Sequence, residues 1–272
     1  MKRNGLQYNL LVILLIIQLG GYSVSKAQTL SDSQPRQLHT VQKESLKTDS
    51  TREEFIKPSV KQYLSRLKQI TNNRNNLLYL GTGLSLVLFF RSHDQSLSDA
   101  LEDNNYNEFE LKAPDKLGGL VMMSGLSFMT YFTGRLLNHP NLANTGLYMI
   151  EAYFTTQAVT LLGKVTFQRE RPNGENKLSF PSGHTSGMFS IASVLDRRYG
   201  FKIGLPAYLM AGFVGFSRVK LKKHYPTDVI AGATVGIIIG RSFVPDKNKN
   251  RGLNLLPLFN NRTMGLSMQV RF

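Results

Sequence analysis

Lys164-Val-Thr-Phe-Gln-Arg-Glu-Arg171-Pro172, then Phe180-Pro181-Ser182-Gly183-His184-Thr185, then Ser217-Arg218-Val-Lys-Leu-Lys-Lys-His224-Tyr-Pro-Thr-Asp228: these three runs follow one another within sixty-five residues. Three cations (Lys164, Arg171, Arg218), two histidines, one carboxylate and a Ser-Gly turn are the equipment of a phosphate site with acid–base and nucleophilic groups. Lys164 and Arg171 are seven apart, so they share a face if one helix carries both. Pro172 would end that helix, because the residue before a proline is pushed out of the α region. Ser182 precedes an apolar run and is placed to cap a new helix through its hydroxyl, which leaves the amides of Gly183 and His184 as an anion site. His224 and Asp228 are one helical turn apart, close enough for the carboxylate to reach the ring. Pro226 between them fits only the first turn of a helix.

Working outward, the chain is apolar in blocks. Leu77–Phe90, Leu117–Leu137, Thr145–Gly163, Ser186–Leu195, Leu205–Phe216 and Val229–Val244 read as six core helices, with frequent glycine for close helix contacts. Strand-like runs with turn signals are absent from this region, so the expected fold class is all-α, a helical bundle. The first motif ends the third of these helices, the second starts the fourth, and the third lies between the fifth and sixth. All three would therefore gather at one end of the bundle.

The order Lys-x6-Arg-Pro, Pro-Ser-Gly-His, Ser-Arg-x5-His-x3-Asp resembles the signature of the type 2 phosphatidic acid phosphatase and vanadium haloperoxidase superfamily, in its membrane-associated lipid phosphatase branch. The resemblance covers residues 77–244 and departs from the pattern nowhere inside the three motifs. It implies a site built from helix ends and loops. It implies that His224 attacks phosphorus, that Asp228 orients its ring, and that His184 protonates the leaving group. It also implies that Lys164, Arg171, Arg218, Ser182 and the amide of Gly183 hold the phosphoryl oxygens, with no metal or other cofactor. Taken singly, the residues have plainer readings: Lys164 as an interfacial lysine, Arg171 as a helix cap, Ser182 as an N-cap, His184 as a core histidine, Asp228 as a partner of the helix dipole. Lys220, Lys222, Lys223, Arg169 and Lys177 fall in variable slots and are assigned a diffuse electrostatic role.

The expected partner is a phosphorylated membrane lipid such as a polyprenyl diphosphate, phosphatidylglycerol phosphate, phosphatidic acid or lipid A. An exported broad-specificity acid phosphatase, a vanadium haloperoxidase and a non-catalytic lipid-phosphate binder stay open as alternatives. Composition narrows the rest. The chain has 272 residues, a formal net charge of +15 and no cysteine, which excludes a disulfide framework and a thiolate metal site. The basic balance suits an anionic membrane surface or substrate. No nucleic-acid-binding motif accompanies it.

The ends differ from the middle. Lys2 and Arg3 precede the apolar run Leu10–Ile17, and Ser25 and Ala27 follow as small residues before Gln28, so residues 1–27 read as a signal peptide, or else an uncleaved anchor. Residues 28–76 read as a polar leader followed by a surface helix over Glu53–Ile70, and 77–244 as the phosphatase core. The basic tail 245–272 ends in strict alternation (Met264, Leu266, Met268, Val270, Phe272), which predicts a strand that pairs with Leu253–Phe259 in a short β-hairpin. The expected setting is a bacterial cell envelope, with the site facing the periplasm. The topology is in conflict with itself. Loop charges place the acidic stretch 91–116 on the outer side with the site, whereas six full spans from an exported N-terminus would put the site inside. The mean hydropathy of −0.18 is low for six spans.

Overall fold

The computed structural model describes residues 54–101, 116–245, 252–260 and 263–271. The expected signal peptide, most of the polar leader and the second half of the 91–116 stretch lie outside the described residues. The helical elements are α1 (Val60–Asn72), α2 (Arg74–Phe90), a 3-10 turn (Arg91–His93), α3 (Asp94–Ala100), α4 (Leu120–Leu136), α5 (Pro140–Phe167), α6 (Gly183–Tyr199), α7 (Phe201–Lys220) and α8 (Pro226–Phe243). The all-α class holds, and the six expected helices correspond to α2 and α4 to α8. Each of these except α4 starts earlier than its apolar block. At α6 and α8 the early turns, Gly183-His184-Thr185 and Pro226-Thr227-Asp228, carry no apolar residue periodicity.

Two antiparallel strands, β1 (Gly252–Asn260) and β2 (Thr263–Arg271), form the predicted hairpin, with Asn260 opposite Thr263 and Pro257 opposite Leu266. In a two-stranded sheet both strands are edges, so Pro257 fits without disrupting a central ladder.

Helices α6 and α8 form the centre of the bundle. Gly232, Gly236 and Gly240 on α8 recur every four residues and face Ser182, Ser186 and Ser190 of α6. A Cβ on Gly236 would lie 2.3 Å from the Ser186 carbonyl oxygen, and one on Gly240 2.3 Å from that of Ser190. Only hydrogen fits there, so the two backbones touch along a glycine–serine seam. Helix α5 packs on α6 and α8, α7 packs on α6, and α4 packs on α5, where Gly146 meets the backbone of Tyr131. Met149, Ala152, Tyr153, Ile191, Val194, Ala211, Val214, Ile239 and Phe243 fill the shared core.

The surface helix expected over Glu53–Ile70 is α1, which starts only at Val60 and ends at Asn72, and it rests on this core. Tyr63, Leu67 and Ile70 pack against the cluster, and Tyr63 lies 5.6 Å from the Phe243 ring. The buried Arg66 of α1 pairs with Glu151 of α5 and stacks over Tyr148.

The outer faces are apolar. Leu78, Leu84 and Phe89 on α2, Val121, Met129 and Leu136 on α4, and Leu209 and Phe213 on α7 are all exposed. Among the described residues no helix is long and apolar enough to cross a membrane.

Candidate active site

The three motifs meet at one end of the bundle because each lies at a helix terminus there. Helix α5 closes at Gln168, which adopts the left-handed conformation with φ 43°. This corrects one expectation. The helix stops at Phe167 rather than running to Pro172, so Lys164 and Arg171 do not share a helical face. Arg171 reaches the site from the following loop, which is pinned back on itself by Arg171 N–H donating to the Asn176 carbonyl at 3.0 Å. The loop is tied to the third motif by Asn173 N–H donating to Lys222 O at 3.1 Å.

Ser182 occupies the N-cap position of α6, but its hydroxyl makes no capping bond. It accepts instead from Thr185 Oγ1 at 3.0 Å, which leaves the first amides of α6 without the expected side-chain cap. The Ser182 N–H donates to the Asp228 carbonyl at 3.0 Å, which locks the start of α6 to the start of α8. Gly183 brings the same turn against α5: a Cβ there would stand 3.8 Å from Cε of Lys164.

Pro226 opens α8 in the first turn, as expected, and Asp228 is its third residue. Asp228 is fully buried and crowded with donors. Arg169 Nη1 donates to Oδ1 at 2.6 Å, the Tyr225 N–H donates to Oδ2 at 2.9 Å, and Ser179 Oγ donates to Oδ2 as well. His224, 1% exposed, stands with Nδ1 3.7 Å from Asp228 Oδ2. That spacing is an ion-pair distance and exceeds a direct hydrogen bond, and among the described residues Nδ1 has no hydrogen-bond partner. Backbone geometry aims the ring, with His224 N–H donating to Arg218 O at 3.2 Å.

Electrostatics bind the set together. Burial pushes His224 down to about 3; the nearby Asp228 opposes this, while Lys164 and Arg218 add to it. His184 is pushed down to about 4 by burial first and by the charges of Lys164 and Arg171 second. Lys164 is lowered to about 8 by burial and by Arg171, with Asp228 pulling the other way, and its ammonium donates to the Leu178 carbonyl. Arg218, 4% exposed, is lowered to about 10 by burial. Burial alone would raise Asp228, but His224, Arg169 and Ser179 hold it below the usual carboxylate range. One wall of His184 is the backbone of Gly118, where a Cβ would come within 3.2 Å of the imidazole.

All eight residues singled out in the sequence therefore lie at this one end: Lys164, Arg171, Ser182, Gly183, His184, Arg218, His224 and Asp228. Among the described residues no group of three or more His, Asp or Glu is arranged to hold a metal ion.

Three residues escaped the sequence reading. Ser179 and Asp94 carry no motif, and Asp94 lies in a stretch treated only as an acidic loop. Arg169 was given a diffuse role, yet it is held by four groups. The one available signal was its place two residues before Arg171, inside the first motif.

Residues 145–251 match the model of the PAP2 superfamily. A lipid A 1-phosphatase from Porphyromonas gingivalis is 40% identical over 81 residues, covering 29% of this chain and 18% of that protein. The undecaprenyl-diphosphatase BcrC of Bacillus subtilis is 43% identical over 65 residues, covering 24% of this chain and 33% of that protein. The chain thus spans at most a third of the length of either of these relatives. The solved structure of the first transmembrane PAP2 type phosphatidylglycerolphosphate phosphatase from Bacillus subtilis aligns with a TM-score of 0.52. It has 22% identity and covers 62% of this chain and 93% of that one, which is a likeness of fold.

Proposed function

We propose that the protein is a metal-independent phosphatase acting on a phosphomonoester or diphosphate of a membrane lipid, through a phosphohistidine on His224. The observation that carries this reading is the buried His224–Asp228 pair set among three cations, Lys164 of α5, Arg171 of the loop after it and Arg218 of α7. A site that only bound phosphate would need the cations alone. An oriented, neutral imidazole and a second histidine are the extra parts that a two-step displacement requires.

The chemistry follows from the placement. His224 has one ring nitrogen facing Asp228 through Nδ1, so Nε2 carries the lone pair toward phosphorus. Its low proton affinity keeps it neutral at physiological pH, which is the attacking form. Lys164, Arg171 and Arg218 take the equatorial oxygens, where charge is spread in the transition state. Ser182 and the Gly183 amide at the start of α6 add hydrogen bonds. As the P–O bond to the leaving group breaks, His184 gives that oxygen a proton. It then takes a proton from the water that attacks phosphorus; the new P–O bond forms as the P–N bond breaks, and its electron pair returns to Nε2, which regenerates neutral His224.

His184 is neutral in the empty site, so the incoming phosphate must raise its proton affinity before it can act as an acid. The anionic substrate supplies that shift by offsetting Lys164 and Arg171.

The lipid part of the proposal rests on the exposed apolar faces of α2, α4 and α7 and on the net charge of +15, which suit an anionic membrane surface of a bacterial cell envelope. The matched relatives act, by name, on lipid A, on undecaprenyl diphosphate and on phosphatidylglycerol phosphate. The site opening toward the periplasm belongs to the same proposal.

The test is phosphate release by the purified chain, beside His224→Ala, with chelator present. The substrates are undecaprenyl diphosphate, phosphatidylglycerol phosphate, phosphatidic acid and lipid A in detergent, with a small aryl phosphate as the soluble probe. Release from one lipid, blocked by vanadate and abolished in the variant, is the expected result. Turnover of the aryl ester alone would replace it with a soluble acid phosphatase, and no release from folded protein would end the hydrolase reading.

A further inference from the structure

Arg169, which none of the proposed catalytic steps uses, makes three side-chain hydrogen bonds at this end of the molecule. Its Nη1 donates to Asp228 Oδ1 at 2.6 Å and to Thr227 Oγ1 at 2.8 Å, and its Nη2 donates to Asp94 Oδ2 at 2.7 Å. The guanidinium carbon lies 3.9 Å from the centroid of the Tyr225 ring, a cation–π contact. Asp94 is 3% exposed and is fixed in turn. The Thr227 N–H donates to its Oδ1 at 3.0 Å and the Thr227 hydroxyl donates to its Oδ2. Asp94 opens α3, so a short helix outside all three motifs is keyed into the first turn of α8 through one carboxylate.

We propose that Arg169 and Asp94 are positioning residues for the reaction: Asp94 holds Arg169, and Arg169 fixes both the orientation and the net charge of the carboxylate that faces His224. The proposal rests on the reading of His224 as nucleophile.

Charge counting gives the expected behaviour. Asp94, Arg169 and Asp228 carry two negative charges and one positive, so His224 faces a cluster with a net charge of one negative. Without Arg169 the cluster would hold two negative charges side by side. Without the charge of Asp94 it would be neutral, with Arg169 wholly committed to Asp228. The fork geometry matters because a guanidinium spans two carboxylates in one plane, whereas an ammonium is a single point. The other charged groups acting on His224 are Lys164 from α5 and Arg218 from α7.

The experiment uses the full chain with isotopically labelled histidine, of which there are five, and reads the His224 ring nitrogens at neutral pH in Arg169→Gln, Asp94→Asn and the double variant. Parallel assays measure kcat and KM on the lipid panel and the aryl phosphate, with Arg169→Lys included. The Nδ1 proton resonance is expected to move downfield in Arg169→Gln and upfield in Asp94→Asn, and to return close to wild type in the double variant. With it, kcat falls at least about tenfold in Arg169→Gln while KM changes less than about threefold, and Arg169→Lys recovers part of the loss. Shifts of the same sign in both single variants, or none, would overturn the proposal, as would a rise in KM with kcat retained. If Arg169→Gln fails to fold, Asp94→Asn still decides the point by the direction of its resonance shift. Opposite shifts in a wild-type protein that hydrolyses none of the panel would overturn the phosphatase reading and leave the charge linkage standing.

Discussion

His184 and Lys164 show how single residues are set by the site rather than by their type. His184 sits near 4 because it is buried beside two cations, so binding a phosphate-like anion should raise its titration. Vanadate is the convenient probe. The His184 resonances should titrate at higher pH in the vanadate complex than in the free protein, and an unchanged midpoint would remove His184 from the general-acid role. Lys164, lowered to about 8, loses its charge as the pH rises through that value, so KM should climb above about pH 8 while Arg218 and Arg171 stay charged. Glu175 offers a third handle. Its carboxylate accepts from Arg171 Nη1 at 3.3 Å and from Lys223, in competition with a phosphate for Arg171. Because Glu175 is half exposed, the competition is weak, about 0.2–1 kcal/mol. Glu175→Gln should therefore tighten vanadate binding by about 1.4- to fivefold, as read by calorimetry. Weaker binding would mean that Glu175 positions Arg171 rather than occupying it. The three motifs made Lys164, His184 and Arg171 legible from sequence. Asp94, Ser179 and the true partners of Arg169 were not, because their meaning lies in contacts 49 to 133 residues apart in the chain, which no local pattern encodes.

The same lesson holds for whole helices. The apolar blocks located α2 and α4 to α8 because a helix that buries a face must repeat apolar residues at helical spacing. They missed the turns nearest the site, since Gly183, His184 and Pro226 stand at helix starts and carry no apolar periodicity. The end of α5 was also misjudged: Pro172 is a helix-breaking signal, but Gln168 in the left-handed conformation ends the helix first. The seam between α6 and α8 makes its own prediction. Gly236→Ala places a methyl 2.3 Å from the Ser186 carbonyl, which is backbone and cannot swing aside. The two helices must part, at a cost of about 1–3 kcal/mol. Their N-terminal turns carry Ser182, Gly183, His184 and Asp228, so activity should fall along with the melting temperature. A variant that melts like wild type and keeps full turnover would show that the seam does not set the site.

For the molecule as a whole, two features point the same way. The peripheral helices expose leucine, methionine and phenylalanine on their outward faces, and the chain carries an excess of fifteen positive charges. Sedimentation with vesicles should show binding that strengthens with anionic lipid and weakens with salt. Equal recovery in the supernatant with and without vesicles would argue for a freely diffusing enzyme. The bundle, its class and the gathering of the motifs at one end were all readable from the chain. How the helices meet lipid was not, since the charge and hydropathy signals in the sequence conflict. The central claim is a phosphohistidine on His224, and the most direct measurement is the stereochemical course at phosphorus. A substrate whose transferred phosphoryl group is made chiral by isotopic oxygen is turned over with an alcohol as acceptor, and the product configuration is read. Two successive in-line displacements through His224 predict overall retention; inversion would mean that the acceptor attacks phosphorus directly and would contradict the account.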